Sequence, residues 1–224
     1  MTGMEEVQDL WLFGYGSLIW KPPPHYDLRL PGYIEGYVRR FWQLSVSQQA
    51  SEDHRGTPEA PGRVCTLIDR KLWETLSDEH PTAPPRVWGA AYRIPAAKVP
   101  EVTEYMNIRE INGYSIQYTP FKRPEDMSAT YQDVHIPEHL TATDANSKAI
   151  KCLVYIGLPD NPQFQGFIPQ QELAEHIVKS RGPSGENKDY LYELEKALDA
   201  LSEESGDEHI TDLARRCRSI EARQ

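Results

Sequence analysis

Two features of the chain combine residue types and spacing that could carry chemistry. The first is the run LWLFGYGSLIWKPPPHYD, residues 10–27. Gly14 and Gly16 flank Tyr15, Ser17 follows at once, and Pro22, Pro23 and Pro24 come just behind. A dinucleotide-binding loop needs a third glycine and a helix after it, and three prolines do not continue a helix. A P-loop would end in Gly-Lys-Ser/Thr, which is absent. A serine nucleophile elbow sets a glycine two residues to either side of the serine; here Gly16 directly precedes Ser17, and Ile19 stands two residues on. What remains is a strand ending in a glycine turn whose successive N–H groups form a concave row. Such a row grips a carboxylate or a developing oxyanion, and glycine lets the ligand come close to the backbone. A plain bulge or hairpin turn has the same composition, so composition leaves both open.

The second feature is Glu110. In PEVTEYMNIRE, Pro100 is a favoured first helical residue, and Asn112-Gly113 is a helix stop. If the segment is helical, Val102, Met106 and Glu110 follow at i, i+4 and i+8 and share one stripe, while Glu101 and Glu104 fall toward the opposite face. A carboxyl group on an apolar face loses hydration, and its pKa rises toward neutrality. That suits a group that takes a proton and returns it. A helix-end ion pair with Arg109 or another cation is the alternative.

The elements that must position these groups divide the chain unevenly. LWLFGYGSL reads as a buried strand entering a turn. PGYIEGYVRRFWQLSV (31–46) reads as one long strand, and RVCTLID (63–69), RVWGAAYRI (86–94), YSIQYTPF (114–121), ATYQDVHI (129–136) and KCLVYIGL (151–158) as further strands. Residues 50–62 are rich in Gly, Pro and charge and read as a loop, with His54 in it. After Pro169 the pattern turns helical: LAEHIVKSRG, stopped by Gly182, then NKDYLYELEKALDALSEE with Leu191, Leu194, Leu198 and Leu201 on one stripe, then DLARRCRSI. Strands and helices do not alternate regularly, which argues against a doubly wound parallel sheet. The expected fold is α+β in a single domain: a mixed or antiparallel sheet curled into a small barrel, flanking helices, and a helical C-terminal third. Residues 10–202 are expected to form the domain, with 203–224 as a helical tail.

Composition sets limits on the function. The 224 residues carry a formal net charge of −10 and are 39% hydrophobic, enough for one domain with a real core. The acidic balance disfavours nucleic acid and acidic membrane surfaces as partners. No apolar run approaches the roughly 18 residues of a membrane-spanning helix, and MTGMEEVQDL lacks the basic and apolar regions of a secretory signal. Cys65, Cys152 and Cys217 are odd in number and far apart, which fits a reducing cytosol. Neither they nor the seven histidines show metal-site spacing, so no metal and no cofactor are expected. Residues 186–212 hold ten acidic residues and two lysines, read as a solvated helical face. No coiled-coil heptad is visible, and a cytoplasmic monomer is the expected state.

Six segments in order carry a family resemblance. FGYGSLIW resembles the opening motif of the γ-glutamylcyclotransferase-like fold in the form of its ChaC branch, the glutathione-specific γ-glutamylcyclotransferases. GYVRRFWQLS (36–45), DHRGTPEAPGRVCTL (53–67), VWGAAYRI (87–94), YMNIREINGY (105–114) and SRGPSGENKDYL (180–191) are similar to later segments of that branch, with Asp189 where glutamate is common. The resemblance covers roughly residues 10–200. It implies a cyclisation: the free α-amine of a γ-glutamyl group attacks its own γ-amide carbon, 5-oxoproline closes, and the amine behind the amide departs as Cys-Gly when the substrate is glutathione. It implies Glu110 as the proton-transfer group and Tyr15, Gly16, Ser17 and Leu18 as the turn that holds the γ-glutamyl group. Ile19 and Trp20, which complete the motif, are further substrate-binding candidates. Arg39 or Arg40 is a candidate partner for a substrate carboxylate, at most one of them pointing inward because adjacent strand residues face opposite ways. Arg55 and Arg63 are weaker candidates of the same kind. Tyr190 either closes the pocket or packs in the core. Two rival functions are a cyclotransferase for other γ-glutamyl amino acids or amines, and a non-catalytic binding module on the same fold.

Overall fold

The computed structural model describes residues 8–45, 55–109, 114–124, 141–144 and 147–223. The expected strand 129–136, His54 and Glu110 lie outside the described residues. Among the described residues ten strands form in chain order: β1 (Leu10–Gly14), β2 (Leu28–Glu35), β3 (Tyr37–Ser45), β4 (Gly62–Asp69), β5 (Arg86–Ile94), β6 (Tyr114–Lys122), β7 (Thr141–Asp144), β8 (Ser147–Gly157), β9 (Arg181–Gly182) and β10 (Gly185–Glu186). The helices are α1 (Arg70–Trp73), α2 (Val99–Arg109), α3 (Gln170–Lys179), α4 (Asn187–Asp199) and α5 (Glu208–Glu221).

The main sheet runs β1-β5-β2-β6-β8 and closes on itself where β8 meets β1. All the ladders around it are antiparallel except the closing one, a parallel bridge between Leu12 and Leu153. Closure removes free sheet edges, and β7 folds back on β8 as a hairpin (Asp144 opposite Ser147). The expected α+β barrel is therefore found.

The long strand expected over 31–46 is two strands in two sheets. Gly36 sits between them at φ +85°, a left-handed conformation that glycine adopts without steric cost. Beyond it, β3 leaves the barrel and pairs with β4 in a separate ribbon, Tyr37 opposite Asp69, with a bulge between Arg40 and Gln43. The helix expected to end at Gly182 ends at Lys179 instead: Ser180 is extended, its hydroxyl donates to the His176 carbonyl at 2.8 Å, and 181–186 form the β9–β10 hairpin.

Period-2 burial sorts the side chains of β1. Trp11 and Phe13 enter a large core with Leu30, Ile34, Phe121 and Val154, and with Leu173, Leu191, Leu194, Leu213 and Cys217 from α3, α4 and α5. Leu12 enters a second core with Tyr92, Ile94, Val102, Met106 and Tyr155. Val102 and Met106 seat α2 as the stripe predicts, and Glu101 and Glu104 are exposed. β1 is thus packed on both sides, and the turn that follows it starts from a rigid strand.

Candidate active site

Beyond β1 the chain makes a short 3-10 turn over Ser17–Ile19. The Gly16 carbonyl accepts from Ile19 N–H at 2.9 Å, and the Ser17 carbonyl from Lys21 N–H at 2.7 Å. A trans peptide points its C=O and N–H in opposite directions, so the Ser17 and Leu18 N–H groups point back toward Gly16. The first turn of such a helix has no internal acceptors for them, and no side chain caps it.

Two side chains hold the turn from behind. Tyr92, on β5, donates its hydroxyl to the Leu18 carbonyl at 2.7 Å. Arg109, buried at the last position of α2, donates to Ser17 Oγ at 3.0 Å and to the Lys21 carbonyl at 3.2 Å. No described imidazole or carboxylate hydrogen-bonds Ser17, so nothing among the described residues activates it as a nucleophile.

In front of the turn lies a half-open cleft of about 340 Å³ lined by Phe13, Tyr15, Gly16, Ser17, Leu18, Cys65, Tyr114, Tyr155 and Tyr190. Tyr15 donates its hydroxyl to the Tyr155 carbonyl at 2.8 Å, which locks it as a wall. The Tyr190 hydroxyl and Cys65 Sγ lie 3.2 Å apart. A Cβ on Gly16 would come within 2.8 Å of that hydroxyl and 2.9 Å of that sulfur, so the tight fit fixes residue 16 as glycine. Burial pushes the Cys65 thiol up to about 11. It is protonated at neutral pH and is no nucleophile.

Tyr15, Gly16, Ser17, Leu18 and Tyr190 are therefore brought together. Ile19 is buried in the large core. Trp20 stands edge-on to Tyr190 with ring centroids 5.3 Å apart. Tyr190 packs in the large core and also lines the cleft.

Arg39 does not line the cleft. It points toward Asp207 (3.5 Å) and donates to the Trp88 carbonyl. Arg40 faces the other way, its Nε 2.5 Å from Asp78 Oδ2. The alternation along the strand holds, but both arginines have acidic partners that the local sequence does not reveal.

Arg109 touches the turn and Tyr114 lines the cleft, so the chain reaches the site on both sides of 110–113. Sequence reasoning missed Phe13, Cys65, Arg109, Tyr114 and Tyr155. The alternation of β1 could have flagged Phe13, but the others depend on packing between distant segments.

One group elsewhere could be asked to hold a metal. Ligand atoms of Asp78, His80 and His209 lie within 4.8 Å of one another, which no sequence spacing announces. The lone pairs of Asp78 and His209 are engaged, while His80 Nδ1 has no hydrogen-bond partner among the described residues. Asp78 Oδ2 accepts from Arg40 and from Trp73 Nε1 (2.7 Å), and His209 Nε2 accepts from Phe41 N–H (3.2 Å). With a guanidinium already on the carboxylate, a second cation is unfavourable. The group is a buried hydrogen-bond network.

Fold and turn together define the class. The crystal structure of a γ-glutamyl cyclotransferase specific to glutathione from yeast matches at TM-score 0.78 and 35% identity, over 95% of this chain and 99% of that one. The fold is that of the γ-glutamylcyclotransferases. Within it, the chain belongs to the ChaC-like protein family, whose model matches residues 10–220. A glutathione-specific γ-glutamylcyclotransferase of Schizosaccharomyces pombe is 43% identical, over 95% of this chain and 94% of its own. The glutathione-specific γ-glutamylcyclotransferase 1 of Homo sapiens is 32% identical, over 92% of this chain and 77% of its own.

Proposed function

We propose that the protein is a glutathione-specific γ-glutamylcyclotransferase. The observation that carries this reading is the uncapped turn at Ser17 and Leu18, which lines a small cleft in a chain of this family. In the reaction, the α-nitrogen of glutathione bonds to the γ-amide carbon, and that carbon's bond to the cysteine nitrogen breaks. The α-ammonium loses two protons in all, the ring nitrogen keeps one, and Cys-Gly leaves as an ammonium. Atoms balance without water, and the enzyme forms no covalent bond. Glu110 is assigned both proton transfers, taking protons from the α-nitrogen and giving them to the departing nitrogen. The turn is assigned the γ-glutamyl group, where backbone N–H groups stabilise negative charge. Attack within one molecule supplies proximity, so the cleft chiefly folds the substrate into the attack geometry.

Tyr15 and Tyr190 are assigned to the walls, with Ile19 and Trp20 supporting the turn from behind. Residues 10–202 are taken as the catalytic unit and 203–224 as its helical tail. Three buried, unpaired thiols and the net charge of −10 support a cytoplasmic monomer that acts on a small molecule rather than on nucleic acid or membrane.

The test is to incubate the purified protein with glutathione in ¹⁸O-water and measure the products. Equimolar, unlabelled 5-oxoproline and Cys-Gly are expected. Glutamate in place of 5-oxoproline would mean hydrolysis and would defeat the proposal.

A further inference from the structure

Five arginines among the described residues are buried: Arg39, Arg40, Arg55, Arg63 and Arg109, with exposures of 1–9%. Taking a guanidinium out of water is costly unless an anion or several acceptors compensate it. Arg39 has Asp207 and Arg40 has Asp78, while Arg109 braces the turn. Arg55 and Arg63 have no carboxylate partner among the described residues, in a protein with ten more acidic than basic groups. A buried cation left unpaired where acidic residues abound is poised for an anion that comes and goes.

Position separates the two. Arg63 lies beside His176, whose pKa it helps to hold down, and no cleft-lining residue is in described hydrogen-bond or ring contact with it. Arg55 stands over the ring of Tyr190, its Cζ 6.0 Å from the centroid, and the hydroxyl of that same tyrosine crowds Gly16 in the turn. One tyrosine therefore separates the guanidinium from the N–H groups assigned to the γ-glutamyl end. Two further residues of extended substrate span about 7 Å.

The mounting of Arg55 is rigid. Its backbone N–H donates to Ser45 Oγ at 3.0 Å, and its NH1 donates to the Glu186 carbonyl at 3.0 Å. Glu186 precedes α4, whose N-terminus has no side-chain cap, so the positive end of a helix adds to the field around the guanidinium. No described residue accepts from its Nε or its other amino group. Two acids lie close: Glu186, whose carboxylate pairs with Lys188 at 2.8 Å, and Asp189, in the first turn of α4. Asp189 Oδ2 lies 3.9 Å from the site of a Gly185 Cβ, against 3.5 Å for Arg55 NH1, yet it makes no ion pair with Arg55.

We propose that Arg55 is a carboxylate subsite of the cleft that receives the C-terminal carboxylate of the substrate, the glycine end of glutathione. This rests on the cyclotransferase reading above. It would account for selecting a tripeptide with a distal carboxylate over γ-glutamyl amines that lack one.

The experiment compares glutathione with its C-terminal amide, which keeps the α-amine, the γ-amide and the thiol. Wild type, Arg55→Met, Arg55→Lys and Arg63→Met are assayed for 5-oxoproline release, with melting temperatures as a check on folding. A hydrogen bond to a charged group is worth about 10- to 100-fold. Wild type should prefer the acid by about that factor. Arg55→Met should lose the preference through a higher KM for glutathione, with kcat at saturation and the rate on the amide nearly kept. Arg55→Lys should restore part of it, and Arg63→Met should keep all of it. Equal loss on both compounds in Arg55→Met, or loss of preference in Arg63→Met instead, would overturn the assignment. If wild type turns over both compounds equally, only the Arg55 subsite falls. If it releases 5-oxoproline from neither, the cyclotransferase reading falls and the subsite with it.

Discussion

At the scale of single residues, the turn divides its labour between backbone and side chains. The Ser17 hydroxyl accepts from Arg109, while the N–H groups of the turn have no side-chain cap. Ser17→Ala should therefore lose part of the brace and none of the chemistry, giving a modest rise in KM and a kcat close to wild type. Gly16→Ala should be worse, although it adds only one methyl group. Its Cβ would meet the Tyr190 hydroxyl and Cys65 Sγ at 2.8 and 2.9 Å, which displaces the wall or the turn, and misplacement of about an ångström costs on the order of a hundredfold. The pair is read from kcat/KM on glutathione, and the ranking fails if Ser17→Ala is the more damaged variant. Glu110→Gln removes proton transfer and keeps size; a fall of about 10²–10⁴ in kcat is expected, with melting temperature preserved. A Gln variant with normal kcat would take Glu110 out of the mechanism. What the sequence revealed here follows a physical rule. Gly14, Gly16 and the stripe through Val102 and Met106 are local patterns, and local patterns survive in one dimension. The ion pair of Arg39 with Asp207 joins residues 168 apart, so strand alternation could give its direction and not its partner.

At the scale of elements, the strands were legible where both ends carry turn signals, as with β5, which matches the expected 86–94. They were misread where one residue does all the turning. Gly36 alone divides β2 from β3, and alternating apolar residues on both sides of it look continuous. Helices were legible as stripes, but the stripe does not say what it packs against. On α5, Ile210, Leu213, Ala214 and Cys217 are all at most 1% exposed and belong to the same core as α3 and α4. A tail can therefore be structurally essential without contributing to the cleft. Leu213→Ala should cost about 2–5 kcal/mol, a large part of the 5–15 kcal/mol that holds a typical domain. Ending the chain at residue 202 should do more, since it also strips Asp207 from buried Arg39. Urea unfolding of the point variant and the soluble yield of the truncated chain measure the two effects. A truncated protein that melts like wild type would show that α5 is an accessory.

At the scale of the whole molecule, the buried histidine that joins α5 to β3 sets a pH limit on the fold. His209 is 1% exposed. Burial holds its pKa well below the ordinary histidine value, and the charges of Arg40, His80 and Arg39 push the same way. Its Nε2 accepts from Phe41 N–H, which requires the neutral ring. Folded protein thus resists the proton that the unfolded chain accepts near pH 6.5. The stability this group contributes is complete above about pH 6.5 and is lost as pH falls from there toward the lower folded pKa, at up to about 1.4 kcal/mol per pH unit. His176, held down first by burial and then by Arg63 and Lys179, adds a slope of the same sign. The lowered pKa values of Asp212, Glu221 and Glu101 act only in the more acidic carboxylate range. Unfolding free energy should therefore be flat from pH 8 to 7 as far as these groups are concerned, and should fall between pH 6.5 and 5.5. His209→Gln keeps an acceptor for Phe41 but cannot titrate. It should be less stable than wild type at pH 7.5, because the fit is imperfect, and should lose less on acidification. Urea unfolding at half-unit steps from pH 8 to 5.5 on both proteins gives the two slopes; parallel slopes would place the acid sensitivity elsewhere in the molecule.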